Sequence, residues 1–221
     1  MRPLLIAALL CLASACGRGV PPGAEIVVAG DSIMAWNRIE GASVADGLKA
    51  RLGRPVGDVS LPLARVTRAR GALSIPNQLT GVSPTWVVLD GGGNDLRGDC
   101  GCNDCGAVLD RLLSPDGRSG AIAELVAAQR AKGARVLWAD YYTSPIYAGT
   151  ICRRPYDVLA ERLTAMAEAD PGVVLADMGA VMPPERAELF APDRLHPSPQ
   201  GSARIAAHLA EALRAADPAL R

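Results

Sequence analysis

A hydroxyl, an amide, a carboxylate and an imidazole stand in this chain where strands give way to loops, or a loop to a helix. Ser32 lies in Gly30-Asp31-Ser32-Ile33, directly after Ile26-Val27-Val28-Ala29. A branched apolar run ending in glycine reads as a buried strand that stops abruptly, and open α/β sheets build ligand sites at such carboxyl ends. A serine hydroxyl is a weak nucleophile at neutral pH. It needs a general base, and the base needs an orienting group. The chain holds two histidines, His196 and His208. His208 falls inside an amphipathic helical pattern and reads as part of its polar face. His196 stands in Ala191-Pro192-Asp193-Arg194-Leu195-His196-Pro197, a non-helical stretch where functional side chains concentrate. Asp193, three residues earlier, can reach the Nδ1 hydrogen in a turn, fix the tautomer and stabilise the imidazolium. Asn94 follows Gly92-Gly93 after a second apolar run. Its amide can donate to a developing oxyanion, a contact worth about 3–4 kcal/mol of barrier. Singly, each signal has an ordinary reading as a cap or turn residue. No Lys-Ser/Thr follows the glycines, so they do not form a phosphate loop.

The elements that must carry these residues alternate. Strands are expected at Ile26–Ala29, Val56–Ser60, Trp86–Leu89, Val136–Trp138 and Val173–Leu175. Helices are expected over Ser43–Leu52, closed by Gly53, over Ala121–Ala131, closed by Gly133, and over Tyr156–Ala169 and Gln200–Ala216. Arg65–Leu79 is irregular and broken at Pro76-Asn77, and a long cysteine-bearing loop is expected from Asp90 to about Gly106. About five alternations predict a parallel sheet covered by helices, with right-handed crossovers. There is no internal repeat or second-domain boundary, and the length fits one domain.

The first residues read differently. Met1-Arg2-Pro3 is a short basic start, Leu4–Ala13 is apolar, and Ala13-Ser14-Ala15 offers a small-residue cleavage site. Residues 1–15 are therefore expected to be a secretory signal peptide, too short for a membrane span. Residues 16–23 form a Gly/Pro-rich tether and 24–221 the domain. Export to a bacterial periplasm or cell envelope is expected. Leu12-Ala13-Ser14-Ala15-Cys16 resembles a bacterial lipobox, with Ala13 where such boxes prefer Leu, so Cys16 is a candidate for lipidation and membrane anchoring. With Cys11 lost and Cys16 lipidated, Cys100, Cys102, Cys105 and Cys152 remain, an even number for an oxidising compartment. The Cys100-x-Cys102 loop is too short for an unstrained bond. This leaves Cys100–Cys105 with Cys102–Cys152, or Cys100–Cys152 with Cys102–Cys105. Four thiolates on zinc are the rival arrangement.

Lys and Arg number 23, as do Asp and Glu, so no basic excess points to a nucleic-acid partner. Arg51, Arg54, Arg65, Arg68 and Arg70 read as a solvated face. Aromatic residues are 4% of the chain, little sign of an extended sugar-stacking platform. Trp36, Tyr141 and Tyr142 are candidate pocket walls, while Trp138 reads as core.

Ser after the first strand, Gly-x-Asn-Asp after the third and Asp-x-x-His before the last helix, in that order, resemble the SGNH (GDSL-type) serine hydrolases. The resemblance spans about Ala24 to the C-terminus. It implies a three-layer, flavodoxin-like α/β/α fold with five parallel strands in the order 2-1-3-4-5. It also implies Ser32 as nucleophile, Asp193 and His196 completing a triad, and Asn94 with the Ser32 N–H in the oxyanion hole. The nucleophile of that family lacks a Gly-x-Ser-x-Gly elbow, and Met34 stands here at the second elbow glycine. One block departs. The oxyanion glycine expected after the second strand falls on Leu63 or Ala64 of Ser60-Leu61-Pro62-Leu63-Ala64-Arg65, and Ala64 is the position assigned. The resemblance implies an esterase without metal or cofactor, forming an acyl-enzyme from a small-molecule or acylated-glycan ester, and a monomer. Thioesterase and lysophospholipase activities belong to the same class. A non-catalytic envelope binding protein on the same fold is the alternative.

Overall fold

A computed structural model describes residues 19–221. The expected signal peptide, the lipidation candidate Cys16 and the first part of the tether lie outside the described residues.

Five strands form one parallel sheet in the order β2-β1-β3-β4-β5. They are β1 (Ile26–Ala29), β2 (Val56–Asp58), β3 (Trp86–Leu89), β4 (Arg135–Asp140) and β5 (Val173–Asp177). Ile26 stands opposite Val56 on one side and Trp86 on the other, so β1 is an interior strand. All four residues of β1 and of β3 are fully buried, as a sheet covered on both faces requires. At the outer edge, Gly19 and Asp58 exchange backbone hydrogen bonds of 2.8 and 2.9 Å, which seats the start of the described chain on β2.

Helices follow as α1 (Ser32–Ala35), α2 (Val44–Leu52), α3 (Ile75–Gln78), α4 (Gly93–Asp99), α5 (Gly106–Leu112), α6 (Ala121–Ala131), α7 (Arg154–Ala169) and α8 (Pro199–Ala216). Ser43 caps α2 through a reciprocal box with Asp46, and Gly53 closes it in the left-handed conformation. The stripe Ile205, Leu209 and Leu213 buries α8 against α2, β4 and β5.

One helix, α4, falls where a loop was expected, and a second, α5, follows in a stretch the sequence left unassigned. The α4 segment Gly93-Asn94-Asp95-Leu96-Arg97-Gly98-Asp99 carries two glycines and little helical propensity, and α5 contributes the buried Val108, Leu109 and Leu112. Tertiary burial, with Leu96 fully enclosed, supplies what propensity does not. Between them the cysteines pair as Cys100–Cys105 and Cys102–Cys152. The first of the two open pairings is thus the one present, and it leaves none of these four sulfurs as a thiolate for zinc. Cys102–Cys152 ties the loop after β3 to the segment after β4 across 50 residues. In the chain-entropy account, such a closure stabilises by about 4 kcal/mol.

Candidate active site

The β1 and β3 neighbours mark the point where successive crossovers leave in opposite directions, and there the carboxyl ends of the strands open a crevice. Ser32 and Asn94 sit at those two ends. The turn after β1 is built tightly. The Gln78 side chain accepts from the Gly30 N–H at 2.8 Å and donates to its carbonyl at 2.9 Å. At Gly30, φ is +147°, and a Cβ would lie 1.7 Å from Asp90 Oδ1, so only glycine fits. Asp31 then caps α1, its Oδ1 accepting from the Ile33 N–H at 2.9 Å, which presents Ser32 as the first helical residue.

The histidine loop returns to the same crevice before α8. Asp193 Oδ1 accepts from the N–H groups of Leu195 and His196, both at 3.0 Å, and Arg194 takes a left-handed φ of 58° to close the turn. Two long-range contacts hold this loop from either side. Asn37 Nδ2 donates to the Pro197 carbonyl at 3.1 Å, and the Tyr142 hydroxyl donates to the Leu195 carbonyl at 2.8 Å. His196 Nδ1 consequently lies 2.6 Å from Asp193 Oδ2, and Nε2 lies 2.8 Å from Ser32 Oγ. With Nδ1–H given to the carboxylate, Nε2 is left to accept from the serine hydroxyl. Partial burial raises the Asp193 carboxyl, but hydrogen bonds from the His196 side chain and backbone outweigh it and hold the group below the usual carboxylate range. Trp36 lies flat on the imidazole, centroid to centroid 3.7 Å with 4° between planes. An indole face attracts the charge this ring takes on when protonated, by about 0.5–2 kcal/mol.

Candidate amide donors line the same pocket. Asn94 Nδ2 donates one hydrogen to the Ala64 carbonyl at 3.0 Å, which orients the second. The Ser32 N–H has no partner among the described residues. In the loop after β2 the expected donor, Ala64, is displaced: its N–H is used by the Leu61 carbonyl at 3.2 Å and the residue is fully buried. The neighbouring Leu63 is the residue with a free N–H at the pocket. It lines the pocket, adopts φ of +64°, and its N–H has no partner among the described residues. A leucine thus holds a backbone conformation that glycine adopts more easily.

Beneath the site lies a buried network that no local pattern in the sequence predicts. The Tyr141 hydroxyl donates to Asp31 Oδ2 at 2.6 Å and accepts from the Gly93 N–H at 3.0 Å. It therefore couples the serine loop to the asparagine loop. Asp90 Oδ1 accepts from the Asp31 N–H at 2.8 Å. Burial, and then the neighbouring Asp31 charge, push the Asp90 carboxyl well above the ordinary range.

The pocket over Ser32 and His196 encloses about 280 Å³. All four tyrosines of the chain line it, together with Trp36, Ile33, Leu195 and Leu63. Aromatic residues are few, but the fold gathers most of them here. Trp138 is fully buried in the sheet, as its position in β4 implied.

A sequence model of the GDSL-like lipase/acylhydrolase family matches residues 28–204. Among solved structures, TesA is 22% identical with a TM-score of 0.63, over 87% of this chain and 99% of that one. The psychrotrophic esterase EstA from Pseudoalteromonas sp., inhibited by monoethylphosphonate, is 17% identical with a TM-score of 0.62, over 86% and 96%. A family two carbohydrate esterase from Clostridium thermocellum is 16% identical with a TM-score of 0.62, over 88% and 64%. Curated protein sequences give no match.

Proposed function

The chain belongs to the GDSL-like lipase/acylhydrolase family and is a hydrolase acting on esters, and from that premise we propose a Ser32-His196-Asp193 triad working through an acyl-enzyme. One observation carries the reading: the unbroken chain from Ser32 Oγ to His196 Nε2 to Asp193, with separations of 2.8 and 2.6 Å. Nε2 takes the hydroxyl proton as Oγ bonds to the ester carbonyl carbon. The carbonyl π electrons move onto oxygen, where the N–H groups of Ser32 and Leu63 and the second Asn94 amide hydrogen receive them. Collapse breaks the ester C–O bond, and Nε2 returns its proton to the departing alkoxide. Water then repeats the sequence on the acyl-enzyme and releases the acid. Asp193 stays ionised throughout, which its lowered carboxyl supports.

The substrate class in this reading is a small-molecule or acylated-glycan ester. The apolar, tyrosine-lined pocket supports an acyl group larger than acetyl, and the carbohydrate esterase among the structural neighbours supports a glycan alcohol. Two disulfides support an exported, oxidising location; anchoring through Cys16 belongs to the same proposal. Wild type should hydrolyse p-nitrophenyl butyrate and react with a fluorophosphonate, and Ser32→Ala should do neither. Equal rates for the two proteins, or a wild type that resists the label, would refute the triad. The second outcome is what a non-catalytic binding protein would give.

A further inference from the structure

A second groove lies beside the pocket, and the proposed chemistry leaves it unused. It shares Leu63, Asn94 and Arg97 with the pocket and is otherwise lined by Arg65, Arg68, Leu73 and Gly98. No carboxylate is among its lining residues. Arg68 and Arg97 are exposed and make no hydrogen bond or ion pair with any described residue. Arg65 is fixed in place. Its Nη1 donates to Asp99 Oδ1 at 2.7 Å, and its guanidinium lies over Gly98, where a Cβ would come 1.7 Å from Nη2. Asp99 is shared with Arg111 at 3.2 Å, so one carboxylate serves two guanidiniums. Asp95, buried under the same loop, spends its oxygens on the N–H groups of Val66 and Thr67. Positive charge therefore exceeds negative along this wall, in a chain whose formal net charge is zero.

Guanidiniums left unpaired along one wall repel one another and present forked donors that match phosphate or carboxylate oxygens. We infer that the substrate carries an anionic group, a phosphate or a carboxylate, close to its ester bond, and that Arg97 and Arg68 hold that group in the groove. This rests on the esterase reading above. Arg97 makes the connection, because it lines both spaces: an ester seated at Ser32 brings a neighbouring anion against its guanidinium. Arg65 and Arg68, read from sequence as a solvated face, become part of substrate recognition.

The test uses two matched ester pairs. Mono-p-nitrophenyl glutarate against its methyl ester places the charge on the acyl side. The 4-carboxyphenyl ester of butyrate against its 4-carbamoyl counterpart places it on the alcohol side. Each exposed ion pair contributes up to about fivefold, so Arg68→Gln with Arg97→Gln should lower kcat/KM for the anionic member roughly tenfold relative to the neutral one, in at least one pair. Raising the salt should lower the same ratio in wild type, and Arg70→Gln should leave it unchanged. If the double variant fails to fold, Arg68→Gln alone should show part of the effect. An anionic-to-neutral ratio that does not change in either pair, with the neutral esters still hydrolysed, overturns the inference and leaves the esterase intact. Wild-type rates in Ser32→Ala on the neutral esters overturn both.

Discussion

Tyr141→Phe removes one oxygen atom and tests what aligns the site. The ring stays, so the pocket wall and the edge-on contact with Tyr156 remain. Two buried partners are lost: Asp31 Oδ2 loses a donor at 2.6 Å, and the Gly93 N–H loses an acceptor at 3.0 Å. A buried group left unsatisfied costs about 1–3 kcal/mol. Asp31 can limit its share, because burial already raises its carboxyl and the Tyr141 hydrogen bond is the foremost of the contacts that lower it. Without the phenol that carboxyl moves further up, which favours its neutral form. The Gly93 N–H has no such recourse, so the net loss in stability should be about 2 kcal/mol. The catalytic cost arises differently. Tyr141 joins the loop carrying the Ser32 N–H to the helix start carrying Asn94, and the two donors must meet one oxyanion. Loosening that alignment should lower kcat about ten- to a hundredfold, or about 1.4–2.7 kcal/mol, with little change in KM. Denaturant titration and p-nitrophenyl butyrate kinetics measure the two effects. Asp31→Asn should be non-additive with Tyr141→Phe if the phenol acts through Asp31. A Tyr141→Phe variant with wild-type kcat and less than about 0.5 kcal/mol of lost stability would refute the reasoning.

The remaining predictions concern pH and backbone. Burial raises the Asp140 carboxyl to about 7, against an ordinary value of 3.8. The folded state therefore holds a proton that the unfolded state has released, and wild-type stability should fall as pH rises from about 4 to about 7, then level off. Asp140→Asn keeps an oxygen to accept from the Tyr141 N–H, now at 2.7 Å, and should melt progressively higher than wild type across that window; a gap independent of pH would count against it. Leu63→Gly should hold stability or raise it by up to about 1 kcal/mol, since relief of the left-handed cost of roughly 1–2 kcal/mol exceeds the entropy glycine adds. Its N–H remains, so ester turnover should persist, and a loss of stability above about 1 kcal/mol would refute the strain argument.

The parts of the site legible in the sequence are those whose chemistry is local. Asp193 reaches His196 through one turn, and Ser32 and Asn94 each follow a buried apolar strand, so spacing alone brings them to the correct end of the sheet. What was not legible joins residues far apart in the chain. Tyr141 bonds Asp31 across 110 residues, Asn37 bonds Pro197 across 160, and the indole of Trp36 covers His196. No periodicity encodes such pairs. The α4 helix was hidden for another reason: its glycines argue for a turn, and only the burial of Leu96 outweighs them.

Leu63 shows how these two kinds of information combine. Sequence placed the missing glycine at one of two neighbouring residues and assigned Ala64, whose N–H the turn consumes, because side-chain types do not reveal which N–H a turn leaves free. The Leu61 carbonyl takes the Ala64 N–H, whereas Leu63, at φ of +64° and lining the pocket, keeps an N–H with no partner among the described residues. The donor in the proposed oxyanion hole is a backbone N–H, so leucine can supply it as glycine would. The side chain is not neutral, however: it stands 63% exposed on the wall shared by the pocket and the arginine groove. Asn94 and Arg97 line both spaces as well, so the pocket and the groove meet at this wall, and the leucine places an apolar side chain between the proposed nucleophile and the guanidiniums without separating them.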